Sequence, residues 1–290
     1  MLVAVHGRAR NERSQGFIRE FFPKLVNLCD STVISEELGS ILGMELTGRS
    51  TMVPTDQLVD SSPDIFLSLG GDGTILEATR LVGRSQVPIL GINTGRMGYL
   101  ASVGHAQAEK AVQRLISGDY HIEERRLLEV TSSTDLFGEQ NFALNEFAIH
   151  KSDSASMITV HVEVNGVFLN SYWADGLIIA TPTGSTGYSL SCGGPIVSPN
   201  THNIVLTPIS PHNLTVRPLI INDGSKLKLR TDTNEDHFRV SADSRSCIVE
   251  PDTQLEIGLA DFTIKFIHFG DHDHFSTLRT KLMWGHDSRN

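Results

Sequence analysis

The sequence predicts an α/β amino-terminal domain with a parallel sheet plus a β-rich second domain, on three observations. Up to about residue 122, short apolar runs closed by glycine alternate with helical stretches, the pattern of a parallel sheet. From there to residue 274 the texture changes to period-2 or short apolar strands broken by Asn, Asp and Gly. After Phe275 helical spacing returns, with Leu278, Leu282 and Met283 able to share one face. The 290 residues suit two domains, drawn at 1–122 and 123–274, with a terminal helix at 275–290 expected to pack back on the first.

Taken in order, Leu2 to Val5 opens the sheet and stops at Gly7, and Asp64 to Gly71 and Val87 to Ile92 repeat that pattern. Glu123-Glu124-Arg125-Arg126 reads as a solvated helix end leading into the next strand. The second domain then runs through LLEVTSS, NFALNEFAIHK, MITVHVEVNGVFLN, GLIIA, KLKLRT, FRVSA, QLEIGL and FTIKFIHF. Asn165-Gly166 between apolar flanks is the strongest short hairpin signal, and Asp223-Gly224 predicts a second hairpin.

Lys and Arg number 24 against 34 Asp and Glu, and the net charge of −10 opposes broad capture of nucleic acid or anionic membrane. Any phosphate must therefore be held locally. Cys29, Cys192 and Cys247 form no C-x-x-C pair and are too few for a disulfide framework or a thiolate metal site, which fits a reducing cytoplasm. No run approaches the ~18 apolar residues of a membrane span, so neither membrane nor nucleic acid is an expected partner. Asp271-His272-Asp273-His274 reads as a solvated loop, because structural metal sites draw spaced ligands from separate elements.

The sharpest segment is DIFLSLGGDGTILEATRLV, a strand running into Gly70-Gly71-Asp72-Gly73-Thr74 and then a helix from Ile75. Such a turn lets backbone N–H groups approach a phosphate, and the helix dipole adds partial positive charge. A carboxylate there is costly beside a phosphate unless a metal or a transferable proton justifies it, so Asp72 is a candidate general base or Mg²⁺ partner. The plainer alternative is an Asx turn. No P-loop, protein-kinase catalytic loop or G-x-G-x-x-G accompanies it.

A second glycine loop, Gly91 to Leu100, follows the next strand and should lie at the same sheet edge, where open α/β sheets bind ligands. Arg96 can meet a phosphate there and Tyr99 a base. Ala174 to Ser191 carries a strand into a loop crowded with hydroxyls and glycines, suited to riboses, phosphates and carboxamides. It has no G-x-S-x-G elbow for a nucleophilic serine. Asn145-Glu146 interrupts an apolar strand, where at least one side chain points inward and a ligand can supply its partners.

Together these residues resemble the NAD kinase family, whose signatures are a GGDGT loop, a later Asn-Glu pair and a T-P-[ST]-G-S-T-A-Y segment, here Gly70 to Thr74, Asn145-Glu146 and Thr181 to Tyr188. The resemblance runs in order over nearly the whole chain, through Gly193-Gly194-Pro195-Ile196, Arg217-Pro218-Leu219 and the terminal KLMWG. One departure is Gly187, where the family usually has alanine. The resemblance implies transfer of the γ-phosphoryl of Mg²⁺-bound ATP, or of polyphosphate, to the 2′-hydroxyl of the adenosine ribose of NAD. By position, Asp72 would serve that hydroxyl, with Asn145 and Glu146 on the dinucleotide. Asp175, Thr186, Gly187, Tyr188 and Ser191 would complete the pocket, with Tyr99 near the adenine. Gly73 would contact the substrate, and Gly70, Gly71, Thr74 and Arg96 would handle phosphate. A cytoplasmic homodimer or homotetramer is also implied. The rival expectations are a GGDGT-type lipid or small-alcohol kinase and a dinucleotide sensor without catalysis.

Overall fold

The computed structural model describes residues 1–43, 48–95, 98–101, 103–152, 156–270 and 274–282. The chain divides into two compact units, Met1–Glu124 with Ile264–Asn290, and Arg125–Thr263. The return to the first unit thus begins at residue 264 rather than 275. The reason is one long strand, Leu255–His268, in which the expected QLEIGL and FTIKFIHF segments merge.

In the first unit the strands Ser50–Val53, Ser31–Ser35, Leu2–Gly7, Ile65–Gly70, Ile89–Asn93 and Val103–Gly104 lie side by side in that order, all parallel. Ile65–Gly70 and Ile89–Asn93 are buried along their whole length, as strands covered on both faces must be. Helix Glu12–Leu28 starts on an Asn11–Ser14 capping box and buries Ile18, Phe21, Phe22 and Leu25. Ser31–Ser35 and Ser50–Val53 carry too few apolar residues to announce themselves as strands. From Leu2–Gly7 the chain builds outward on one side and then, from Ile65, on the other. Their carboxyl ends, Gly7 and Gly70, therefore mark the point where strand order reverses, the place where open α/β sheets bind ligands.

The terminal helix spans His274–Leu282 and belongs to this unit. Its one buried residue is Thr277, whereas Leu278 and Leu282 are only half-buried and Phe275 is exposed. The apolar face expected of the tail is therefore thin. Met283 and Asp271 to Asp273 lie outside the described residues, and His274 opens the helix instead of closing a polar loop.

In the second unit an antiparallel sheet runs Leu219–Asn222, Asn203–Ile209, Gly176–Ala180, Glu146–His150, Phe238–Ala242 and Arg245–Val249. A further antiparallel set joins Val167–Ala174, Ile158–Val164 and Leu227–Asp232 to Leu255–Ile257. Between them lies a core that includes Phe147, Phe238, Ile179 and Val160. Asn165 and Gly166 both take positive φ, 52° and 78°, and close the expected hairpin. Asp223-Gly224 does not close one, because the strands before and after it pair with different partners. The buried Asp223 carboxylate instead takes a 2.6 Å bond from Arg126. Arg126 and its charged neighbours lie within strand His121–Ser132, not at a helix end. Four adjacent charges suppress the strand signal there, since strand propensity reflects packing on a half-buried surface.

Candidate active site

In the first unit, Gly71 caps the helix Asp72–Val82, which begins three residues earlier than the sequence suggested and places Asp72, Gly73 and Thr74 in its first turn. The Thr74 and Ile75 amides turn back to the Gly71 carbonyl at 3.0 and 3.2 Å. The amides of Asp72 and Gly73 precede them and have no carbonyl four residues back within the helix. Gly70 is glycine for an internal reason: a Cβ there would stand 2.1 Å from Thr74 Oγ1. Gly71 and Gly73 are not, since a Cβ at either would meet nothing within 4 Å and neither has positive φ. Open room above helix amides is what a phosphate requires.

The Asp72 carboxylate reaches the second glycine loop, accepting from the Tyr99 amide at 2.6 Å and from the Leu100 amide at 3.0 Å. Gly98 must be glycine for this contact, because its Cβ would fall 2.0 Å from Asp72 Oδ1. Thr94 N donates to Gly70 O, which ties the base of the second loop to the first. The Tyr99 ring meets the His274 ring edge-on at 6.4 Å, and its buried hydroxyl has no hydrogen-bond partner among the described residues. Burial raises the pKa of that phenol. Arg96 lies outside the described residues.

Sequence reasoning missed a polar cluster beside this turn. Buried His6 lies 2.9 Å from Ser35 Oγ and 3.0 Å from Glu77 Oε2, and Arg8 bonds Glu77 Oε1 at 2.8 Å. Burial works to raise the Glu77 pKa, but the His6 bond and the charges of His6 and Arg8 outweigh it and leave it lowered. The available signal was His6 and Arg8 flanking Gly7 at the end of the first strand.

In the second unit, Asn145-Glu146, Thr181 to Tyr188 and Asp243 form one cluster. Thr181 N donates to Asn145 O at 2.8 Å and its hydroxyl donates to Leu144 O at 2.6 Å. The backbones approach so closely at Gly184 that a Cβ would stand 2.1 Å from Asn145 O. The Asp243 carboxylate accepts from the amides of Leu144, Asn145 and Glu146 at 2.9, 2.8 and 3.2 Å, and so sets the conformation of the Asn-Glu pair. Asp243, in the tight turn before Arg245, was invisible as a site residue because Ala-Asp-Ser-Arg reads as an ordinary hairpin turn. Burial raises its carboxyl, with the three amides acting in the other direction.

Glu146 is buried and leaves Oε2 without a hydrogen-bond partner among the described residues. Burial first, then the Asp243 charge, push its pKa to about 8. Gly187 lies against this carboxyl: a Cβ there would stand 2.9 Å from Oε2 and 3.2 Å from Gly184 O. The family's usual alanine would thus displace the end of Glu146 in this chain. Tyr188 stacks on His150 with centroids 5.7 Å apart, and its hydroxyl pKa is raised by burial and then by Cys192, Asp175 and Glu146. Asp175 immediately precedes Gly176, which pairs with His150, whereas Glu146 pairs with Ala180, so the two acidic residues stand five strand positions apart, about 17 Å along the strand. Asp175 is engaged by Lys151 at 2.7 Å. The Thr186 hydroxyl donates to Thr183 O, and Ser191 is exposed at the end of the short helix Tyr188–Ser191.

A glycine turn at the reversal point of a parallel sheet, in a chain whose second unit is antiparallel and carries a buried carboxyl among hydroxyls, defines a nucleotide-handling phosphotransferase of the α/β class. Two family models match, the ATP-NAD kinase N-terminal domain over residues 19–120 and the ATP-NAD kinase C-terminal domain over 144–269. The chain belongs to the NAD kinase family. It is 44% identical over 293 residues to the NAD kinase of Cytophaga hutchinsonii and 42% identical over 294 residues to that of Flavobacterium johnsoniae, covering 100% of both chains in each case. Among solved structures, an Archaeoglobus fulgidus NAD kinase in complex with ATP is similar at a TM-score of 0.76 and 27% identity, over 98% of this chain and 99% of that one. Yeast NADH kinase complexed with NADH shares the fold at a TM-score of 0.86 and 23% identity, over 99% of this chain and 89% of that one.

Proposed function

We infer that this protein is an NAD kinase, transferring the γ-phosphoryl group of ATP to the 2′-hydroxyl of the adenosine ribose of NAD. The observation that carries this is the glycine turn, where Gly71 and Gly73 leave room over the helix amides and Asp72 is the acidic group in the turn. ATP phosphates lie over that turn, and Asp72 orients the 2′-hydroxyl and accepts its proton. Asn145, Glu146 and Tyr188 hold the dinucleotide, with Asp175, Thr186, Gly187 and Ser191 beside them and Tyr99 at the adenine.

Mg²⁺ accompanies the nucleotide and neutralises phosphate charge. Among the described residues no cluster of three or more His, Cys, Asp or Glu is placed to hold a metal, and Asp72 in the glycine turn is the carboxylate that would meet a cation brought in with the nucleotide. A homodimer or homotetramer is supported by Val167, Phe168 and Trp173, exposed on one edge strand. A cytoplasmic setting is supported by three free cysteines. Among the described residues no helix is long and apolar enough to cross a membrane.

The direct test is NADP formation from NAD with ATP, and in a parallel reaction with polyphosphate. NAD binding without turnover in both would replace the kinase by a sensor. Gly73→Ala tests whether the open room at that turn receives phosphate. Alanine favours a helix by up to about 1 kcal/mol over glycine, so the melting temperature should hold or rise. The ATP KM should nevertheless increase about tenfold, the loss of one or two amide bonds to phosphate. An unchanged KM would show that the open space is not a phosphate cradle.

A further inference from the structure

The helix His274–Leu282 presents little apolar surface, yet one stripe of it is specific. His274, Thr277 and Lys281 recur at spacings that place them on the same side. At one end of the stripe the His274 ring packs against Tyr99, whose amide holds Asp72. In the middle Thr277 is buried. At the other end the Lys281 ammonium is buried, has no hydrogen-bond partner among the described residues and lies within electrostatic reach of Asp72.

That arrangement is not a structural ion pair. Both Asp72 oxygens are occupied by backbone amides, and Lys281 donates nothing to them. An ammonium carries three donors and no acceptor, and a buried one left unmatched is costly unless an anion arrives to use it. Burial lowers the Lys281 pKa from the usual lysine range, and the Asp72 charge opposes that loss. The glycine turn has the complementary deficit: a triphosphate placed beside a carboxylate needs a cation, and no P-loop lysine follows this turn.

We propose that Lys281 is a phosphate-binding residue of the glycine turn, its ammonium donating to an oxygen of the nucleotide's terminal phosphate beside Asp72. The proposal rests on the phosphotransfer reading and adds a group from the far end of the chain. It also gives the terminal helix a reason to dock that its half-buried leucines do not supply.

The test uses the full chain and Lys281→Met, Lys281→Gln and Lys281→Arg. Turnover of the wild type establishes the phosphotransfer reading, and its absence would count against that reading alone. ATP affinity by calorimetry then reads Lys281 independently of turnover. Lys281→Met should melt within a few degrees of wild type, bind ATP roughly 10- to 100-fold more weakly and keep its NAD affinity. The ATP KM should rise with it, and Lys281→Arg should recover most of the loss. If the methionine variant does not fold, Lys281→Gln is held to the same criteria. Unchanged ATP affinity without the ammonium would overturn the proposal. So would equal losses in all three variants accompanied by a fall in melting temperature, which would make Lys281 a structural anchor.

Discussion

Asp72→Asn is expected to lower kcat for NADP formation by about 10²–10⁴-fold, the range general-base help supplies. A ribose hydroxyl is a poor nucleophile, and phosphoryl transfer depends chiefly on alignment and on charge neutralisation. From the sequence alone, asparagine would be a neutral copy of the side chain. The structure makes it less innocent, because both carboxylate oxygens accept backbone amides, from Tyr99 and Leu100. An asparagine offers one acceptor and turns an NH₂ group toward the other amide. An unmatched donor of that kind costs about 1–3 kcal/mol. The variant should therefore also melt at a lower temperature, with the second glycine loop less firmly held. Single-turnover rates on folded protein separate the two effects. NAD affinity should fall much less than the rate. A near-normal single-turnover rate would reduce Asp72 to the anchor of that loop.

Where sequence and structure agree, the reason is local. Ile65 to Gly70 announces a buried strand by composition, and Asn165-Gly166 announces a hairpin because both residues accept positive φ. What was illegible depends on partners distant in sequence. Asp223-Gly224 has the same local chemistry as a hairpin, but Arg126, nearly one hundred positions earlier, takes the carboxylate, and the flanking strands pair elsewhere. The candidate site divides in the same way. Glycines and the Asn-Glu pair stood out as residues that ordinary strands avoid. Asp243, Glu77 and Lys281 did not, because a turn aspartate, a helix glutamate and a tail lysine are unremarkable until the fold sets each against a buried partner or leaves it without one.

Glu146 supplies the other large effect, on stability and binding together. Its carboxyl is buried beside Asp243 and its pKa is raised from 4.5 to about 8. Between those values the folded protein keeps a proton that the unfolded chain has released. The contribution of Glu146 to stability is therefore greatest below about 4.5, declines as pH rises through that window and levels off above about 8. The full span is on the order of 3–5 kcal/mol. Glu146→Gln cannot ionise, so urea unfolding at the two ends of the window should show it gaining on the wild type by that order at high pH. Ribose hydroxyls donating to Glu146 would favour the carboxylate, so NAD binding near neutrality should release a proton. Calorimetry in two buffers of different ionisation enthalpy measures this directly, and the release should vanish in Glu146→Gln. The glutamine variant should also bind NAD more weakly, by the 1.5–3 kcal/mol typical of a hydrogen bond to a charged group. Parallel stability profiles for the two proteins would mean that Glu146 is already ionised in the fold. Unchanged NAD affinity would remove it from the dinucleotide site, leaving Asn145 and Tyr188 to define that end of the pocket.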